Sequence, residues 1–421
     1  MASQLRPTPP ERGFMRKEVT IWRVMSKKLL IAGGGIGGMA AALAAARTGW
    51  QVQVLERASA FSEVGAGVQI GPNVTRVLHA WGLQEALRAV AAFPDALLVR
   101  DAASGAELGY MQLGERAQRL YGAPYATIHR ADLHQALAAA AQAESQVQVH
   151  AGQALARYED QGAAVQAFSA SQTWQADALI GADGLWSEVR QGLLKDGAPR
   201  VSGHLAWRAM LRQADLPAAL RSQCVTVWLG PRMHAVQYPV RRGEWLNLIV
   251  VTEGAPPENP HGWDHQANAY ELMARMGGAC APLRDLLHAA PQATVNACVW
   301  RLWPLCDRAP VRAAGEMARG RVALLGDAAH PMRPYLAQGA GMAVEDADML
   351  GRCLQQADAG TAPQQLARYA QARWARCARV QARAARNGEI FHASGLVRLA
   401  RNAAMRLLGA RLLDAPWLYA Y

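Results

Sequence analysis

The periodic pattern of the chain begins with a short apolar run, which is followed by glycines and then by alanines. Residues 27–32 (KKLLIA) have the branched apolar composition of a buried strand, and residues 33–49 (GGGIGGMAAALAAARTG) join a glycine turn to a helix with small side chains. Residues 51–58 (QVQVLERA) alternate as a second strand does. The pattern predicts a β-α-β unit, the building block of parallel α/β folds.

A different pattern occupies the middle of the chain, from about Trp207 to Thr252. The segments CVTVWLG, HAVQYPV and EWLNLIVV alternate apolar and polar positions, and turns rich in Gly, Pro and Arg separate them. This pattern predicts an antiparallel sheet, inserted before the α/β texture returns near Val322. From Pro363 onward an Arg-rich amphipathic pattern predicts helices.

Together these patterns predict an α/β fold, α+β overall. A Rossmann-like domain is interrupted by a mainly antiparallel domain and followed by C-terminal helices. A chain of 421 residues is long enough for two such cores. The expected limits are 27–195 and 315–385 for the discontinuous Rossmann-like domain, 196–314 for the inserted domain, and 386–421 for the C-terminal helical segment.

The composition narrows the class of protein. No stretch approaches the roughly 20 unbroken apolar residues of a membrane span, so we expect a cytoplasmic protein without a membrane partner. Residues 1–26 lack the apolar core of a signal peptide and predict a disordered leader, or a start upstream of the true one at Met25. Six cysteines show neither CxxC nor metal-ligand spacing, which predicts reduced thiols and no metal site. The net charge of +11 lies mostly on dispersed arginines, which favours anionic small ligands over nucleic acid.

The glycine turn carries the first chemical signal, because Gly33, Gly35 and Gly38 fit G-x-G-x-x-G between a strand and a helix. The first glycine permits the tight turn, the second lets the backbone approach a pyrophosphate, and the third lets helix and strand pack closely. Glu56 ends the next strand and can accept a hydrogen bond from a ribose hydroxyl, which favours FAD or NAD over NADP. Its neighbour Arg57 is grouped with it as a cofactor-binding candidate.

Two later motifs distinguish FAD from NAD. They are residues 178–190 (ALIGADGLWSEVR) and 326–347 (GDAAHPMRPYLAQGAGMAVEDA), and a plain NAD dehydrogenase needs neither. No second G-x-G-x-x-G unit occurs, since residues 65–71 (GAGVQIG) have the wrong spacing. With the first motif, they resemble the class A FAD-dependent aromatic monooxygenases over about residues 27–387. The Rossmann-like domain is then the FAD-binding domain, and the inserted one is the substrate domain.

The resemblance implies roles for five further cofactor-binding residues. Asp183 borders both FAD and the groove used by NAD(P)H, and Arg130 lies near FAD. Asp327 accepts hydrogen bonds from the ribityl hydroxyls. Gly339 and Ala340 open a helix whose N–H groups face the pyrimidine edge of the flavin, where negative charge develops on reduction.

Three shorter segments, residues 63–73, 121–133 and 234–241, narrow the resemblance. They are similar to the group of salicylate 1-hydroxylase, 3-hydroxybenzoate 6-hydroxylase and 6-hydroxynicotinate 3-monooxygenase. His234 and Tyr238 match a His and a Tyr of the substrate pocket in that group, and their spacing puts both on one face of a strand. We therefore take these two residues as the catalytic candidates, with His234 as the proton acceptor.

The implied reaction hydroxylates a small aromatic hydroxy acid with NAD(P)H and O2, through a flavin C4a-hydroperoxide. The ring stays open among salicylate-like, 3-hydroxybenzoate-like and hydroxynicotinate-like acids. Gln69 stands where the hydroxynicotinate enzymes carry His, and Pro334 where the 3-hydroxybenzoate enzymes carry Gln. A larger polycyclic or quinolone-type ring is the alternative within this class.

Two other classes of protein compete with this interpretation: a flavin-free NAD(P)-dependent dehydrogenase and a non-catalytic basic binding protein. The spectrum of a bound oxidised flavin distinguishes both from a flavoenzyme. The sequence leaves open the choice between NADH and NADPH, the loss of a carboxylate as CO2, and the choice between a monomer and a homodimer.

Overall fold

The computed structural model describes residues 27–61, 66–259, 265–267, 269–290 and 300–421. The expected leader, residues 1–26, lies outside this part of the chain. The predicted fold class is confirmed, since a largely parallel sheet with helices is joined to a large, mainly antiparallel sheet. No helix in the described segments is both long and apolar enough to cross a membrane.

The strands of the described residues lie in four sheets. In chain order they are β1 (Lys28–Ala32), β2 (Gln51–Glu56), β3 (Gly67–Ile70), β4 (Ala96–Asp101), β5 (Glu107–Gln112), β6 (Ala126–His129), β7 (Val147–Ala151), β8 (Arg157–Asp160), β9 (Val165–Phe168), β10 (Thr173–Ala176), β11 (Ala178–Gly181), β12 (Arg200–Arg212), β13 (Val225–Gly230), β14 (Met233–Val240), β15 (Trp245–Glu253), β16 (His265–Gln266), β17 (Arg301–Asp307), β18 (Ala318–Arg319) and β19 (Val322–Leu324).

The α-helices pack mainly against the first sheet and at the C-terminal end. In chain order they are α1 (Ile36–Ala46), α2 (Pro72–Ala80), α3 (Gln84–Val90), α4 (Gly114–Tyr121), α5 (Arg130–Gln142), α6 (Glu188–Leu194), α7 (Ala269–Arg275), α8 (Ala281–Ala289), α9 (Gly339–Leu354), α10 (Ala362–Phe391), α11 (Gly395–Leu408), α12 (Ala410–Leu413) and α13 (Pro416–Tyr419).

The first sheet contains six strands in the order β18-β19-β11-β1-β2-β7. β1 pairs in parallel with β2 and with β11, so the predicted β-α-β unit is confirmed. The small side chains of α1 are buried and let α9 approach closely, because a Cβ on Gly351 would lie 3.0 Å from the Cβ of Ala44. The strand ends of β1 and β11 and the start of α9 therefore meet at one edge, where all three motifs converge.

The second large sheet contains eight strands in the order β16-β17-β12-β15-β14-β13-β4-β5. The core of β12 to β15 is antiparallel, as predicted, but β4 and β5 come from residues 96–112 and extend the sheet through a parallel pair with β13. One face buries Trp207 and Leu248 against α7 and α8. The opposite face carries Ala206 and Val251, which contact Tyr335 in the loop before α9.

The predicted C-terminal helices are present, and α10 brings its end against the large sheet. His392 caps α10, and its carbonyl oxygen accepts a hydrogen bond from the N–H of Arg232 at 3.0 Å. The ion pair of Arg398 with Asp101, at 2.8 Å, holds α11 on the same side. α10 runs through the expected limit between residues 385 and 386, and the domain limits stay a prediction.

Candidate active site

The glycine turn after β1 has the shape that a pyrophosphate needs. Gly33 has a φ of +100°, and a Cβ there would lie 2.4 Å from the carbonyl oxygen of Ala182. A Cβ on Gly38 would lie 1.9 Å from the carbonyl oxygen of Gly33, so only glycine allows this contact of helix and strand. Beside Gly35, by contrast, no described residue other than its two chain neighbours has an atom within 4 Å of the Cβ position. The turn is therefore tight where protein meets protein and open where the phosphates would lie.

Glu56 stabilises this turn directly, a role that the sequence did not indicate. One carboxylate oxygen accepts a hydrogen bond from the N–H of Gly34 at 2.8 Å, and the other accepts one from the N–H of Ala58 at 2.8 Å. A carboxylate oxygen has a second lone pair for a ribose hydroxyl. Arg57 follows on the exposed side of the strand end. Glu56 can thus support the turn and bind the ribose at the same time.

The middle motif connects the glycine turn to the third motif. Asp183 accepts hydrogen bonds from the Ser187 hydroxyl and from the N–H of Val189, and burial raises the pKa of this carboxyl. Arg190 donates to the carbonyl oxygens of Ala328 and Ala329, at 3.1 and 2.6 Å. The motif therefore fixes the backbone that follows Asp327.

Asp327 faces a cavity, and neither of its carboxylate oxygens has a hydrogen-bond partner in the part of the chain that the structure describes. Burial raises the pKa of the Asp327 carboxyl, while the charges of Arg130 and His330 oppose that shift. A Cβ on Gly339, at the start of α9, would lie 3.9 Å from Asp327 Oδ1. The first N–H groups of a helix have no intrahelical acceptor. Acceptors for ribityl hydroxyls and donors for a flavin edge thus lie side by side, as FAD requires.

A buried ionic cluster lies directly beneath this loop. Asp346 accepts hydrogen bonds from His330 at 2.6 Å, from the N–H of Gly326 at 3.0 Å and from Arg373 at 2.8 Å. Burial would raise the pKa of Asp346, but His330 and Arg373 outweigh it and hold the pKa at about 2. Burial would lower the pKa of His330, but the neighbouring Cys377 and Asp346 raise it well above its usual value. This cluster fixes Gly326 and hence the position of Asp327.

The cavity in front of Asp327 has a volume of ≈ 150 Å³ and lies between the cofactor loop and the large sheet. Arg208 lines it from β12, with its guanidinium carbon 3.6 Å from the ring centre of Trp303. The guanidinium donates no hydrogen bond to any described residue, and Nε is fully buried. Burial lowers the pKa of Arg208 to about 9, which leaves the group protonated at neutral pH. The residues that line the cavity are Arg130, Leu185, Trp186, Arg208, Trp303, Pro304, Leu305, Cys306, Asp327, Pro331, Met332 and Pro334.

Tyr238 lies on β14, on the same face of the large sheet as Arg208. Its ring passes over Gly67, where a Cβ would lie 2.5 Å from Tyr238 Cε2. Burial raises the pKa of the Tyr238 hydroxyl, and the charge of Arg208 opposes this shift. Over the described ranges, the hydroxyl has no hydrogen-bond partner, so it is available to a ligand.

His234 lies four residues before Tyr238 on the same face. Its Nδ1 is 2.9 Å from His392 Nε2, and its ring packs edge-on against Tyr335 and Phe391. Its Nε2 makes no hydrogen bond within the described chain. Burial, and then the proximity of His392 and His204, lower the pKa of His234 well below its usual value. His234 is therefore a neutral base with one nitrogen unused.

The structure thus places the predicted residues in two groups. Arg130 and Asp327 line the cavity, and Gly339 and Ala340 start the adjoining helix. His234 and Tyr238 lie on the sheet face beside the cavity rather than in its lining. The sequence analysis missed Arg208, although the alternation of β12 puts it on the same face as Ala206 and Met210.

Comparison with known proteins agrees with this architecture. The FAD binding domain family matches residues 26–384. The chain is 38% identical to a 3-hydroxybenzoate 6-hydroxylase of Polaromonas naphthalenivorans (strain CJ2) over 93% of this chain and 96% of that protein. It is 35% identical to a 6-hydroxynicotinate 3-monooxygenase of Pseudomonas fluorescens over 85% and 90%. A structure of a salicylate hydroxylase substrate complex superposes with a TM-score of 0.77 at 25% identity, covering 94% and 96%.

The chain belongs to this family of FAD-binding proteins and is an FAD-dependent aromatic monooxygenase. The predicted cofactor is confirmed, with NAD(P)H as the co-substrate that such enzymes use. The alternative of a flavin-free dehydrogenase is therefore set aside.

Proposed function

We propose that this enzyme hydroxylates a monocyclic aromatic hydroxy acid, bound on a half-buried apolar floor of the large sheet. The observation that carries the proposal is an arrangement of polar groups around an apolar surface. Val236 is half-buried on the otherwise buried β14, and Ile249 is half-buried between buried neighbours in the middle of β15, so they form an apolar floor for a ring. Arg208, Tyr238 and His234 surround that floor, and none of their outer polar atoms is satisfied by the described protein.

The pairing of the strands fixes how these groups are spaced. Val236 lies midway between His234 and Tyr238 on β14. It pairs with Ile249 on β15, which in turn pairs with Arg208 on β12. Four strand residues at about 3.3 Å each put His234 and Tyr238 roughly 13 Å apart along the backbone. A single benzene ring with an oxygen substituent at each end, plus a hydrogen bond of about 2.8 Å at each end, fills most of that distance. The spacing supports one ring rather than a polycyclic one.

The charges favour one orientation of the substrate. Arg208 supplies a cation for a carboxylate, and Tyr238 can donate to the same group. His234, neutral and with Nε2 unused, accepts the proton of the ring hydroxyl at the other end. Loss of that proton raises the electron density at the ring carbons ortho and para to the oxygen. FAD, when bound and reduced by NAD(P)H, would activate O2 and so supply the electrophilic oxygen that such a carbon takes up, the second oxygen atom leaving as water.

The names of the similar proteins agree with this substrate class, since the relatives act on 3-hydroxybenzoate and 6-hydroxynicotinate. The cofactor groups proposed here are Gly33, Gly35, Gly38, Glu56, Arg57, Arg130, Asp183, Asp327, Gly339 and Ala340. We further propose a cytoplasmic enzyme that is a monomer or a homodimer, which light scattering and cell fractionation can test.

The test is turnover by the purified yellow protein. NADH and NADPH oxidation are measured with 3-hydroxybenzoate, salicylate and 6-hydroxynicotinate, and the products are identified by mass spectrometry. We expect one of these acids to stimulate oxidation and to gain one oxygen atom. Stimulation only by polycyclic rings, or by none of the acids, contradicts the proposal.

A further inference from the structure

We propose that His234, His392 and Glu253 form a proton relay that connects the substrate hydroxyl to solvent. This inference rests on the proposed function, in which His234 accepts the proton of the ring hydroxyl. His234 is buried, so the proton it accepts needs a path out. His392 and Glu253 provide one, and neither is among the residues assigned above to the cofactor.

The first step of the relay is a direct contact between two imidazoles. His234 Nδ1 lies 2.9 Å from His392 Nε2, within hydrogen-bond distance. Both rings are buried, and burial is the main reason why the pKa values of both are lowered, that of His392 to about 4. Two neutral imidazoles, each with one N–H donor and one acceptor nitrogen, can pass a proton without holding a charge for long.

The second step leads to the surface. His392 Nδ1 lies 3.6 Å from Glu253 Oε1 and has no hydrogen-bond partner among the described residues. The Glu253 side chain is 32% exposed, so its carboxylate exchanges protons with solvent. Burial raises the pKa of Glu253, but Arg232, 2.7 Å from the other oxygen, outweighs it and lowers the pKa. Glu253 is therefore ionised at rest and binds the relayed proton only transiently.

The groups around the relay are consistent with this path. His204 stacks on His392 with ring centres 4.8 Å apart, and its Nδ1 is hydrogen-bonded with the Tyr335 hydroxyl. Arg333, on the loop before α9, lowers the pKa of both His204 and His392. On the helical side, Arg401 donates to the carbonyl oxygens of Ile390 and Phe391 rather than to the His392 ring. Burial, assisted at His204 and His392 by Arg333, thus keeps the histidines neutral by lowering their pKa values, and Arg232 keeps the Glu253 carboxylate ionised.

The proton balance is simple. The substrate hydroxyl gives its proton to His234 Nε2, His234 Nδ1 gives a proton to His392 Nε2, and His392 Nδ1 gives one to Glu253, which releases it to water. The substrate keeps the electron pair of the O–H bond as a phenolate. Each ring then carries its proton on the other nitrogen. A proton that returns along the same path to the oxygen of the product restores both rings.

The test measures proton release when the enzyme binds its ligand. The wild-type holoenzyme is mixed with 3-hydroxybenzoate, salicylate or 6-hydroxynicotinate in weakly buffered phenol red, and stopped-flow absorbance follows the proton while flavin absorbance follows binding. His392→Gln keeps an acceptor for His234 but cannot relay a proton, and Glu253→Gln removes the final acceptor. Glu85→Gln is the matched control, because Glu85 is an exposed acid on α3 that pairs with Arg88 at 2.9 Å and contacts no residue of the relay.

We expect His392→Gln and Glu253→Gln to slow proton release and product formation by about 100-fold, as for the loss of a positioned proton-transfer group. Binding stays within about twofold of wild type, because neither residue contacts the ligand. Raising the pH, which ionises the ligand in solution, restores part of the rate. Proton release at the wild-type rate in both variants overturns the relay alone. If none of the three acids perturbs the flavin of the wild-type enzyme, the proposed function fails, and the relay fails with it.

Discussion

Two groups of buried polar side chains lie on opposite sides of the cavity, and they differ in how far the protein satisfies them. Beneath the cofactor loop, Asp346 accepts from four donors among the described residues, and Arg373 pairs with both Asp346 and Glu345. On the sheet side, Arg208 and Tyr238 donate no hydrogen bond to the described protein. Leaving a buried polar group unpaired costs about 1–3 kcal/mol, so the second arrangement weakens the fold.

This difference distinguishes the polar groups that stabilise the fold from those that bind a ligand. A satisfied cluster such as that of Asp346 stabilises the loop that carries Asp327, whereas an unsatisfied group such as Arg208 gains its partner only from a ligand. Asp327 is itself an unsatisfied group, although it lies next to the satisfied cluster of Asp346. Substitutions in the first group should therefore act on stability, and those in the second on binding or turnover.

The largest effect is expected from Asp346→Asn, which removes the anion of His330 and one of the two anions of Arg373, the other being Glu345. Breaking one partner of a buried ion pair costs about 3–5 kcal/mol, so urea unfolding should show a loss of that size. Asp285→Asn on α8 is the control, because Asp285 is exposed and should change the free energy of unfolding little. A stable Asp346→Asn protein that has lost only FAD contradicts the architectural role.

The same cluster predicts a pH dependence. The pKa of His330 is raised above 6.5, so its contribution to stability is complete below pH 6.5 and is lost as the pH rises through the raised pKa. The pKa of Asp346 is lowered from 3.8 to about 2, so its contribution is complete above pH 3.8 and is lost as the pH falls towards 2. The difference in the free energy of unfolding between wild type and Asp346→Asn should therefore be largest between pH 3.8 and pH 6.5, where both contributions are complete. A gap that is constant with pH speaks against the ion pair.

His234→Ala should separate flavin reduction from hydroxylation. The variant keeps FAD and still oxidises NAD(P)H, but product formation falls by about 100-fold and peroxide is released instead. The measurement is the ratio of NAD(P)H consumed to product and peroxide formed. His288→Ala, at an exposed site on α8, serves as the control. Full coupling in His234→Ala would make His234 a structural residue.

Asp327→Ala should weaken FAD binding while the fold persists. The loss of a charged acceptor costs about 1.5–3 kcal/mol, so the protein should purify largely colourless with an unchanged circular dichroism spectrum. Asp327→Asn keeps an acceptor oxygen and should retain more flavin than Asp327→Ala. Full flavin occupancy in both variants contradicts the ribityl contact.

The smallest effect is expected from Tyr238→Phe, which removes one neutral hydroxyl. Its loss costs about 0.5–1.5 kcal/mol of substrate binding, or roughly 2- to 12-fold in Kd, with little effect on coupling. Titration of the flavin absorbance measures it. A coupling defect as large as that of His234→Ala would show that the two residues have been assigned the wrong roles.

The sequence predicted the structure best where the steric constraint comes from neighbouring residues of the same unit. Gly33 and Gly38 are needed because a Cβ would collide with atoms of the same β-α-β unit, and such a turn leaves a readable spacing. The three motifs were placed together correctly because each ends a strand of one parallel sheet. The features that the sequence did not predict depend on pairings between distant segments. β4 pairs with β13 across more than a hundred residues of chain, and no local pattern indicates that pairing.

The same limit applies to the site. His234 and Tyr238 share a strand, so their common face could be predicted, but the partner of His234 depends on where α10 ends. His392 follows that helix and meets β14 only through tertiary packing. Arg208 was visible as a charge on an alternating strand, but its lack of a hydrogen-bond acceptor among the described residues emerges only when the sheet and the cofactor loop are brought together.

The central claim, that Arg208 holds the carboxylate of a ring whose hydroxyl faces His234, is tested most directly by ligand binding to Arg208→Met. The Kd values of 3-hydroxybenzoate, benzoate and phenol are measured by flavin absorbance for the wild type and the variant. We predict that the variant weakens both carboxylates by about 10- to 150-fold and leaves phenol unchanged, because only the charge-assisted contact is lost. Equal weakening of all three ligands, or none for the carboxylates, would contradict the account.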